Sequence, residues 1–410
     1  MKILHTSDWH MGRALYGRKR YEEFELFLDW LVECMAAQGV EALLVAGDVF
    51  DNGTPSNRAL ELYYRFLCRC AGAGCRHVVV TAGNHDSPSL LNAPREVLRY
   101  LDVHVMGSMT EAVTDELVML HDRGGKPELM VCAVPYLRDR DLRRAEAGET
   151  FEEKGRKLVE GIRDHYQLVV TAATARCRLA GVTIPLVAMG HLFTAGSRTV
   201  DGDGVRELYV GNLGQVGGDI FPQEINYLAL GHLHTAQRVG GSDFRRYCGS
   251  PLPMSFGEGT HQKSVVTVKM GKGEMTVEEI PVPCFQPLAT VRGEWNLIAG
   301  RIAQLKKEAV PVWLEVIYEG DEFLGDLQDR LRELVLGSSL EILRTKNMRL
   351  VERTLSRMTM EETLDDLDPD AVFSRCLAAH EALPEQQGEL MATFREAVLA
   401  LHEDDLRGES

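Results

Sequence analysis

The apolar positions in the first part of the chain alternate between short continuous runs and longer stripes at helical spacing. The apolar runs at residues 43–46 and 78–80 predict strands. The segments 21–35 and 57–71 place apolar side chains every three or four residues and predict helices. This alternation of strand and helix predicts a layered α/β domain.

From about residue 176 the pattern changes, because strand-like runs are now separated by glycine-rich loops rather than by long helices. These runs lie at residues 185–188, 227–230 and 264–270. They predict a second, more antiparallel sheet. Two mixed sheets with helices outside them would form a four-layer α-β-β-α sandwich, so the predicted fold class is α/β.

A proline-rich stretch at Pro281, Pro283 and Pro287 predicts a linker. Beyond it, the pattern predicts a small βαβαβ unit and then an acidic helical tail that begins after Arg353. The βαβαβ segments are residues 288–291, 296–307, 312–318, 324–335 and 340–344. We therefore predict a large domain over residues 1–283, a small α+β domain over 284–352 and a helical tail over 353–410.

Polar residues follow five of the predicted strands, usually just after a glycine. They are Asp8 and His10, Asp48 and Asp51, Asn84 with His85 and Asp86, His191, and His232 with His234. Ligands of open α/β sheets collect at the carboxyl ends of the strands. The donors are carboxylate and amide oxygens and imidazole nitrogens, with no thiolate, which suits Mn, Fe or Zn.

Seven of these residues are enough for two metal ions that share one carboxylate. They are Asp8, His10, Asp48, Asn84, His191, His232 and His234. Two cations about 3.5–4 Å apart need such a bridge because they repel each other. His85 is then left over and is placed to act as a general acid. Each motif alone has a plainer interpretation, such as an Asx turn at Asp48 or a core histidine at His191.

The order of these motifs resembles the calcineurin-like metallophosphoesterases. Within that class, residues 4–12, 83–86, 231–234 and 247–251 resemble the SbcD nuclease subunits of bacterial SbcCD complexes. The similarity covers roughly residues 1–283, which would be the nuclease domain, and the order of the smaller segments behind it. The segment 284–352 would be a capping domain and 353–410 the tail that docks the SbcC coiled coil.

The resemblance implies a role for each site residue. One metal would be held by Asp8, His10, Asp48 and His234, and the other by Asp48, Asn84, His191 and His232. His85 would protonate the departing 3′ oxygen with support from Asp86. Some relatives carry histidine where Asp51 stands here, so we expect Asp51 to orient a ligand or a water rather than to contact DNA.

The resemblance also implies the activity and the partners. Members of this family prefer manganese, digest duplex ends in the 3′ to 5′ direction, nick single strands and open hairpins in DNA repair, recombination and replication. They form homodimers through helices next to the active site. With an SbcC-type ATPase, whose coiled coil docks on helices like the tail here, they assemble into a heterotetramer.

Two surfaces are candidates for binding, and each has a plainer alternative. A basic rim after the first ligand pair would contact DNA phosphates or would simply be a solvated helix start; it consists of Arg13, Tyr16, Arg18, Lys19 and Arg20. An apolar stripe in the tail would dock the partner or would pack on its own domain; it consists of Phe373, Leu377, Phe394 and Val398.

Composition narrows this picture only slightly. A formal net charge of -16 and a pI near 5.3 argue against a protein that coats nucleic acid, although a local basic surface or a metal centre is still compatible with a nuclease. The 9 cysteines form no CxxC pair and no disulfide framework. With no apolar run near the ~20 residues of a membrane span, we expect a cytoplasmic protein.

Two other functions are compatible with the same residues. A phosphatase or nucleotide phosphodiesterase of the same fold would carry identical ligands, but would not need the βαβαβ unit and the tail. A non-enzymatic scaffold is disfavoured because every expected ligand position is filled. The remaining histidines, among them His5 on the first strand, are interpreted as structural or surface residues.

Overall fold

The computed structural model describes residues 1–142, 149–194, 216–271, 275–320, 324, 326–348, 390–391 and 394. The chain divides into two compact units, Met1–Gln286 and Pro287–Ser410. The strands of the described residues are β1 (Lys2–Thr6), β2 (Ala14–Leu15), β3 (Arg18–Lys19), β4 (Ala42–Ala46), β5 (His77–Thr81), β6 (Val103–Met106), β7 (Leu117–His121), β8 (Pro127–Ala133), β9 (Leu186–His191), β10 (Tyr227–Gly231), β11 (Gln237–Val239), β12 (Ser242–Tyr247), β13 (Ser264–Met270), β14 (Met275–Pro281), β15 (Leu288–Gly293), β16 (Val312–Tyr318) and β17 (Leu340–Asn347).

Side chains cap the start of some of the helices of the described residues. The helices are α1 (Tyr21–Gln38), α2 (Asn57–Cys70), α3 (Pro88–Asn92), α4 (Arg95–Leu98), α5 (Asp139–Leu142), α6 (Phe151–Leu179), α7 (Trp295–Glu308) and α8 (Leu327–Val335). The Ser56 side chain accepts the Ala59 N–H at the start of α2. Thr150 and Glu153 form a reciprocal capping box at the start of α6.

The first unit contains two six-stranded sheets with the same mixture of pairings. The first has the order β14-β13-β1-β4-β5-β6 and the second has the order β11-β12-β10-β9-β8-β7. In each sheet three neighbouring pairs are parallel and two are antiparallel. The prediction of a more antiparallel second sheet is therefore wrong. The parallel pair β8–β9 needs a long crossover, which α6 provides. The prediction missed it because it considered only the segments after about residue 176.

Three apolar clusters define the layers of the first unit. One packs the outer face of the first sheet against α1 and α2, and includes Leu43, Phe27 and Phe66. A second packs the outer face of the second sheet against α6. The third lies between the sheets and joins residues such as Leu44 and Val187. The predicted α-β-β-α sandwich is confirmed.

The register of the parallel strands brings their carboxyl ends to one edge. Thr6 is opposite Val45, and Gly231 is opposite His191 in the other sheet. The two sheets approach closely here, since a Cβ atom on Gly231 would lie 1.9 Å from the Ala46 carbonyl oxygen. Only glycine allows this approach. The loops that follow the strands therefore converge.

The second unit contains a three-stranded sheet in the order β15-β16-β17, and both of its pairs are parallel. Its core joins the sheet to α7 and α8 through residues such as Val316, Ile302 and Leu331. The predicted βαβαβ unit is confirmed, with α8 beginning at Leu327 instead of 324.

Most of the predicted tail stripe cannot be described. Phe373, Leu377 and Val398 lie outside the described residues, whereas Phe394 lies within them in a helical segment. The division of the second unit into a capping domain and a docking tail stays a prediction. Among the described residues, no helix is long and apolar enough to cross a membrane.

Candidate metal centre

The structure brings the seven predicted ligand side chains together at the converging strand ends. On one side, the Nε2 atoms of His10 and His234 face each other at 3.1 Å. Asp8, His10 and His234 are close enough to hold one cation. The Asp48 carboxylate borders this cluster, because its Oδ2 lies 3.5 Å from His10 Nε2.

A second cluster lies on the other side of Asp48. The same Oδ2 atom of Asp48 lies 3.3 Å from His191 Nε2. The Asn84 side-chain oxygen lies 3.1 Å from His191 Nε2 and 3.0 Å from His232 Nδ1. Asp48, His191 and His232 form a second group of cation-binding geometry. One carboxylate oxygen therefore stands between two clusters of donors.

The backbone of this region is strained where the ligands are presented. Four of the seven residues have positive φ: Asp8 at 53°, His10 at 46°, Asp48 at 50° and His232 at 100°. A side chain in the left-handed region costs roughly 1–2 kcal/mol per residue. Such strain persists where the surrounding structure fixes it, which is typical of functional sites.

Oxygen atoms lie behind the rings of two of the four histidines. His191 Nδ1 lies 2.9 Å from the Ala46 carbonyl oxygen, so Nδ1 donates to it and Nε2 faces the centre. His10 Nδ1 is buried and forms no hydrogen bond of normal geometry with the described residues; Asp51 Oδ1 lies 3.4 Å away. Such outer oxygens are typical partners of metal-binding histidines.

Burial and mutual proximity shift the acid–base properties of the cluster. Burial raises the pKa of Asp8 to about 6, and the nearby Asp48 charge adds to the rise. Although burial alone would raise it, His191 and His10 hold the pKa of Asp48 well below its usual range. Burial would lower the pKa of His191, but Asp48 raises it to about 9. In the metal-free cluster, His191 therefore keeps a proton beside the Asp48 carboxylate.

The donor set fits a pair of divalent cations. Two carboxylates, one amide oxygen and four imidazoles converge, and all but Asn84 belong to buried residues. Ring nitrogens and side-chain oxygens face each other across both clusters, so a proton or a cation must lie between them. Nitrogen and oxygen donors without thiolate suit Mn, Fe or Zn.

His85 lies beside the cluster and is oriented by Asp51. The His85 Nδ1 atom donates to the Asp51 carbonyl oxygen at 2.8 Å, and the His85 ring meets the His10 ring edge-on with centroids 4.9 Å apart. The Asp51 carboxylate is shared between His10 and Arg13, at 3.4 Å from each. His10, Asp51 and His85 are also close enough to hold a cation. The contacts agree better with the orienting role expected for Asp51.

Asp86, the expected support of His85, binds the backbone of two loops. Its carboxylate accepts backbone N–H groups of Val49 at 3.2 Å, Phe50 at 2.9 Å and Gly83 at 2.8 Å. Asp86 therefore joins the loop after β4 to the loop after β5. The support of His85 by Asp86 stays a prediction.

The basic rim loses one of its five predicted members. Arg20 is only 2% exposed, and its guanidinium binds Glu23 and the Pro253 carbonyl oxygen at 2.7 Å each. It therefore serves the packing of α1 and is not a DNA contact. Arg18 and Lys19 on β3 are exposed, and Arg13 is half-buried. Tyr16 is half-exposed and stacks on Phe256.

Ser7 and Cys248 lie next to the ligands but were not predicted as site residues. Ser7 donates to the Asp8 carboxylate and lies 3.0 Å from the Cys248 sulfur. The available signal was that they belong to the motif segments 4–12 and 247–251. By contrast, His5 is a structural residue as expected: it is fully buried and hydrogen-bonds the Tyr227 hydroxyl at 3.0 Å.

The fold and this site define a calcineurin-like phosphoesterase. The family model of that description matches residues 1–236, and the model described as type 5 capsule protein repressor C-terminal domain (SbcD_C) matches residues 284–381. The SbcD subunit of the nuclease SbcCD from Escherichia coli K12 is 38% identical over 96% of this chain and 97% of its own. The Rhodobacter capsulatus protein of the same name is 37% identical over 70% of this chain and 71% of its own.

The Bacillus subtilis protein of that name is 34% identical, again over 70% of this chain and 71% of its own. The chain belongs to the SbcD family, a family of metal-dependent nucleases within the calcineurin-like phosphoesterases.

Proposed function

We propose that the chain is the nuclease subunit of an SbcCD-like complex and hydrolyses DNA phosphodiester bonds with two divalent cations, Mn²⁺ in the first place. The observation that carries the proposal is Asp48, whose Oδ2 lies 3.5 Å from His10 Nε2 and 3.3 Å from His191 Nε2. A carboxylate in this position is what a pair of cations requires.

Each cation would have four protein ligands, with Asp48 shared. Asp8, His10, Asp48 and His234 would hold one, and Asp48, Asn84, His191 and His232 would hold the other. When bound, the cations would supply an activated water and neutralise charge that builds up on the phosphoryl oxygens.

The remaining side chains would orient groups and move a proton. His85 Nδ1 donates to the Asp51 carbonyl oxygen, so the doubly protonated ring would give its Nε2 proton to the departing 3′ oxygen. Burial lowers the pKa of His85, which favours release of that proton. Asp51 would hold both His85 and His10 in place. Asp86 would hold the loops after β4 and β5 together.

We further propose the activities of the family for this chain: 3′ to 5′ digestion of duplex ends, nicking of single strands and opening of hairpins, in DNA repair, recombination and replication. Arg13, Tyr16, Arg18 and Lys19 would hold the phosphate backbone next to the metal centre. Free thiols at all eight described cysteines are compatible with work in the cytoplasm.

One comparison of substrates tests the proposal. Metal-free protein is loaded with MnCl₂ and incubated with a hairpin-ended duplex, and in parallel with a phosphomonoester. We expect cleavage of the DNA and little release of phosphate. Fast turnover of the monoester with intact DNA would instead support a phosphatase of this fold.

The partner would be an SbcC-type ATPase that docks its coiled coil on the tail. Truncation after Glu352 should abolish binding of SbcC but leave metal-dependent nuclease activity, since the metal centre lies in the first unit. Loss of both would show that the tail is needed for folding. The segment 284–352 would act as the capping domain.

A homodimer, and with SbcC a heterotetramer, is supported by an apolar surface beyond α3. Val97 is 70% exposed, Tyr100 is 93% exposed and Leu101 is 44% exposed, within one short helical segment. Burial of such side chains against a second copy is favourable. Tyr100→Asp should shift the protein to a monomer in sedimentation experiments and leave Mn²⁺ binding unchanged.

A further inference from the structure

The backbone of His234 is held by two groups from later in the chain. Its carbonyl oxygen accepts the Ser250 N–H at 3.2 Å and the Lys263 ammonium at 3.0 Å. The turn that carries Ser250 presses on this segment, because Gly249 has φ +77° and a Cβ atom there would lie 2.9 Å from the His234 carbonyl oxygen. The turn within the sequence motif 247–251 therefore fixes the backbone of His234 next to the metal centre.

The ring of His234 faces a buried carboxylate. Glu258 Oε1 lies 3.9 Å from His234 Nδ1, on the side of the ring opposite to the Nε2 atom that faces His10. Glu258 is fully buried, and its Oε1 forms no hydrogen bond with the described residues. Its other oxygen accepts the Lys263 ammonium and the Met254 N–H. One oxygen is therefore fixed so that the other points at the ring.

A cavity lies beside His234 and the ion pair. His234, Ser250 and Lys263 line this cavity of about 320 Å³. A buried ion pair such as Lys263–Glu258 is costly, and well-packed apolar residues would often serve stability as well or better. The position of this ion pair, between the cavity and His234, therefore favours a role in orienting His234.

Two other histidines of the centre have outer contacts of their own. His191 Nδ1 contacts the Ala46 carbonyl oxygen, and His10 Nδ1 faces Asp51. Neither of these contacts involves Glu258 or Lys263. Loss of the pair should therefore affect the cluster that contains His234 and spare the cluster that contains His191.

We propose that Glu258 and Lys263 are positioning residues for His234 and set the affinity of one of the two metal sites, the one formed by Asp8, His10, Asp48 and His234. Lys263 anchors the His234 carbonyl, and Glu258 holds the Lys263 ammonium and places a carboxylate oxygen 3.9 Å from His234 Nδ1. The proposal rests on the two-cation function given above.

The test is a titration of the metal-free, full-length protein with MnCl₂ by calorimetry, in the wild type and in Glu258→Gln. We expect the wild type to bind two ions. In Glu258→Gln one ion should bind about 10- to 100-fold more weakly, the range known for loss of such outer partners, while the other is unchanged. DNA cleavage should recover at high MnCl₂.

Glu116→Gln is a matched control. Glu116 is fully buried and pairs with His165 at 2.9 Å, so the variant removes the same kind of carboxylate–histidine contact away from the metal centre. It should lower thermal stability without changing either Mn²⁺ affinity. Should Glu258→Gln fail to fold, the double variant Glu258→Gln/Lys263→Met carries the same test, because it leaves no lone buried charge.

Three results would overturn the proposal. If the folded variant binds both ions as the wild type does, Glu258 has no positioning role. If both affinities fall together with the unfolding temperature, the pair is structural only. A wild type that binds no pair of ions would remove the two-cation function itself, which distinguishes that failure from the first two.

Discussion

The strand ends of the two units carry very different residues, although both units contain parallel strands that alternate with helices. In the first unit β1 and β4 run into Asp8 and Asp48, which are buried and have positive φ. In the second unit β15 and β16 end at Gly293 and Tyr318. Among its described residues, no group of His, Cys, Asp and Glu is close enough to hold a cation. Topology supplies the place for a site, but the residues decide whether one exists.

The two units also differ in how the charge of a buried carboxylate is neutralised. Glu315 on β16 is only 6% exposed and is neutralised by Arg344 at 3.3 Å and Lys346 at 3.1 Å. In the described part of the chain, Asp8 and Asp48 have histidines near them but no Lys or Arg at ion-pair distance. Glu315 is thus balanced by side chains of its own unit, whereas Asp8 and Asp48 at the candidate metal centre would be balanced by cations.

The largest expected effect comes from Asp48. Asp48→Asn keeps the shape of the side chain but removes the shared negative charge, so binding of both Mn²⁺ ions should be lost. DNA cleavage should fall by more than about 100-fold, since loss of an outer partner alone already costs up to that much. Calorimetry and a cleavage assay measure both quantities.

Glu315→Gln is the control in the second unit. It should lower stability, because Arg344 and Lys346 lose their shared carboxylate, and leave the metal titration unchanged. If Asp48→Asn still binds two Mn²⁺ ions, the contrast drawn between the carboxylates of Asp48 and Glu315 is wrong.

His85→Ala separates binding from chemistry within the first unit. Loss of a general acid should lower the cleavage rate by about 10²–10⁴-fold. Both Mn²⁺ ions should still bind, because His85 is not among the seven ligands. Cleavage at the wild-type rate, or loss of the metals together with cleavage, would remove the proposed role of His85.

The stability of the metal-free protein should depend on pH through His191. Burial opposes protonation of this ring, but Asp48 raises its pKa from 6.5 to about 9 in the folded protein. A raised pKa gives stability that is fully present below pH 6.5 and is lost as pH rises through 9. The free energy of unfolding should therefore fall by up to about 3 kcal/mol over this window.

Urea unfolding at a series of pH values measures this loss. Saturating MnCl₂ should remove it, because a metal-bound histidine is already deprotonated. His191→Gln should lack the slope as well. A metal-free wild type whose stability stays level or rises between these pH values would show that His191 and Asp48 do not share a proton.

The smallest effect is expected at the basic rim. Lys19→Gln should weaken DNA binding evenly across sequences and reduce the slope of log K against log salt by about 1. Arg20→Gln should not change that slope, but should destabilise the protein because it leaves Glu23 buried without its partner. Equal salt slopes in the wild type and in Lys19→Gln would remove Lys19 from the DNA interface.

Much of the site could be predicted because its information is local in sequence. A buried run, a glycine and an Asp or His identify a strand end, and parallel strands bring such ends together. The βαβαβ unit was predictable for the same reason, since its apolar periodicities are regular.

What could not be predicted depends on contacts between distant segments. Arg20 looks like part of a basic run, but the Pro253 carbonyl oxygen, 233 positions away, and Glu23 bury it. Asp86 follows His85 directly, yet its carboxylate is taken up by backbone N–H groups at Val49 and Phe50. The pairing in the second sheet was mispredicted because the prediction relied on the loops beside the strands. The α6 crossover instead determines that β8 and β9 are parallel.

Anomalous diffraction from crystals grown with MnCl₂ tests the central claim most directly. We predict two manganese peaks among the seven side chains, one beside His10 and His234 and one beside His191 and Asn84, with the Asp48 carboxylate between them. A single peak, or none within this cluster, would contradict the assignment of a two-cation centre.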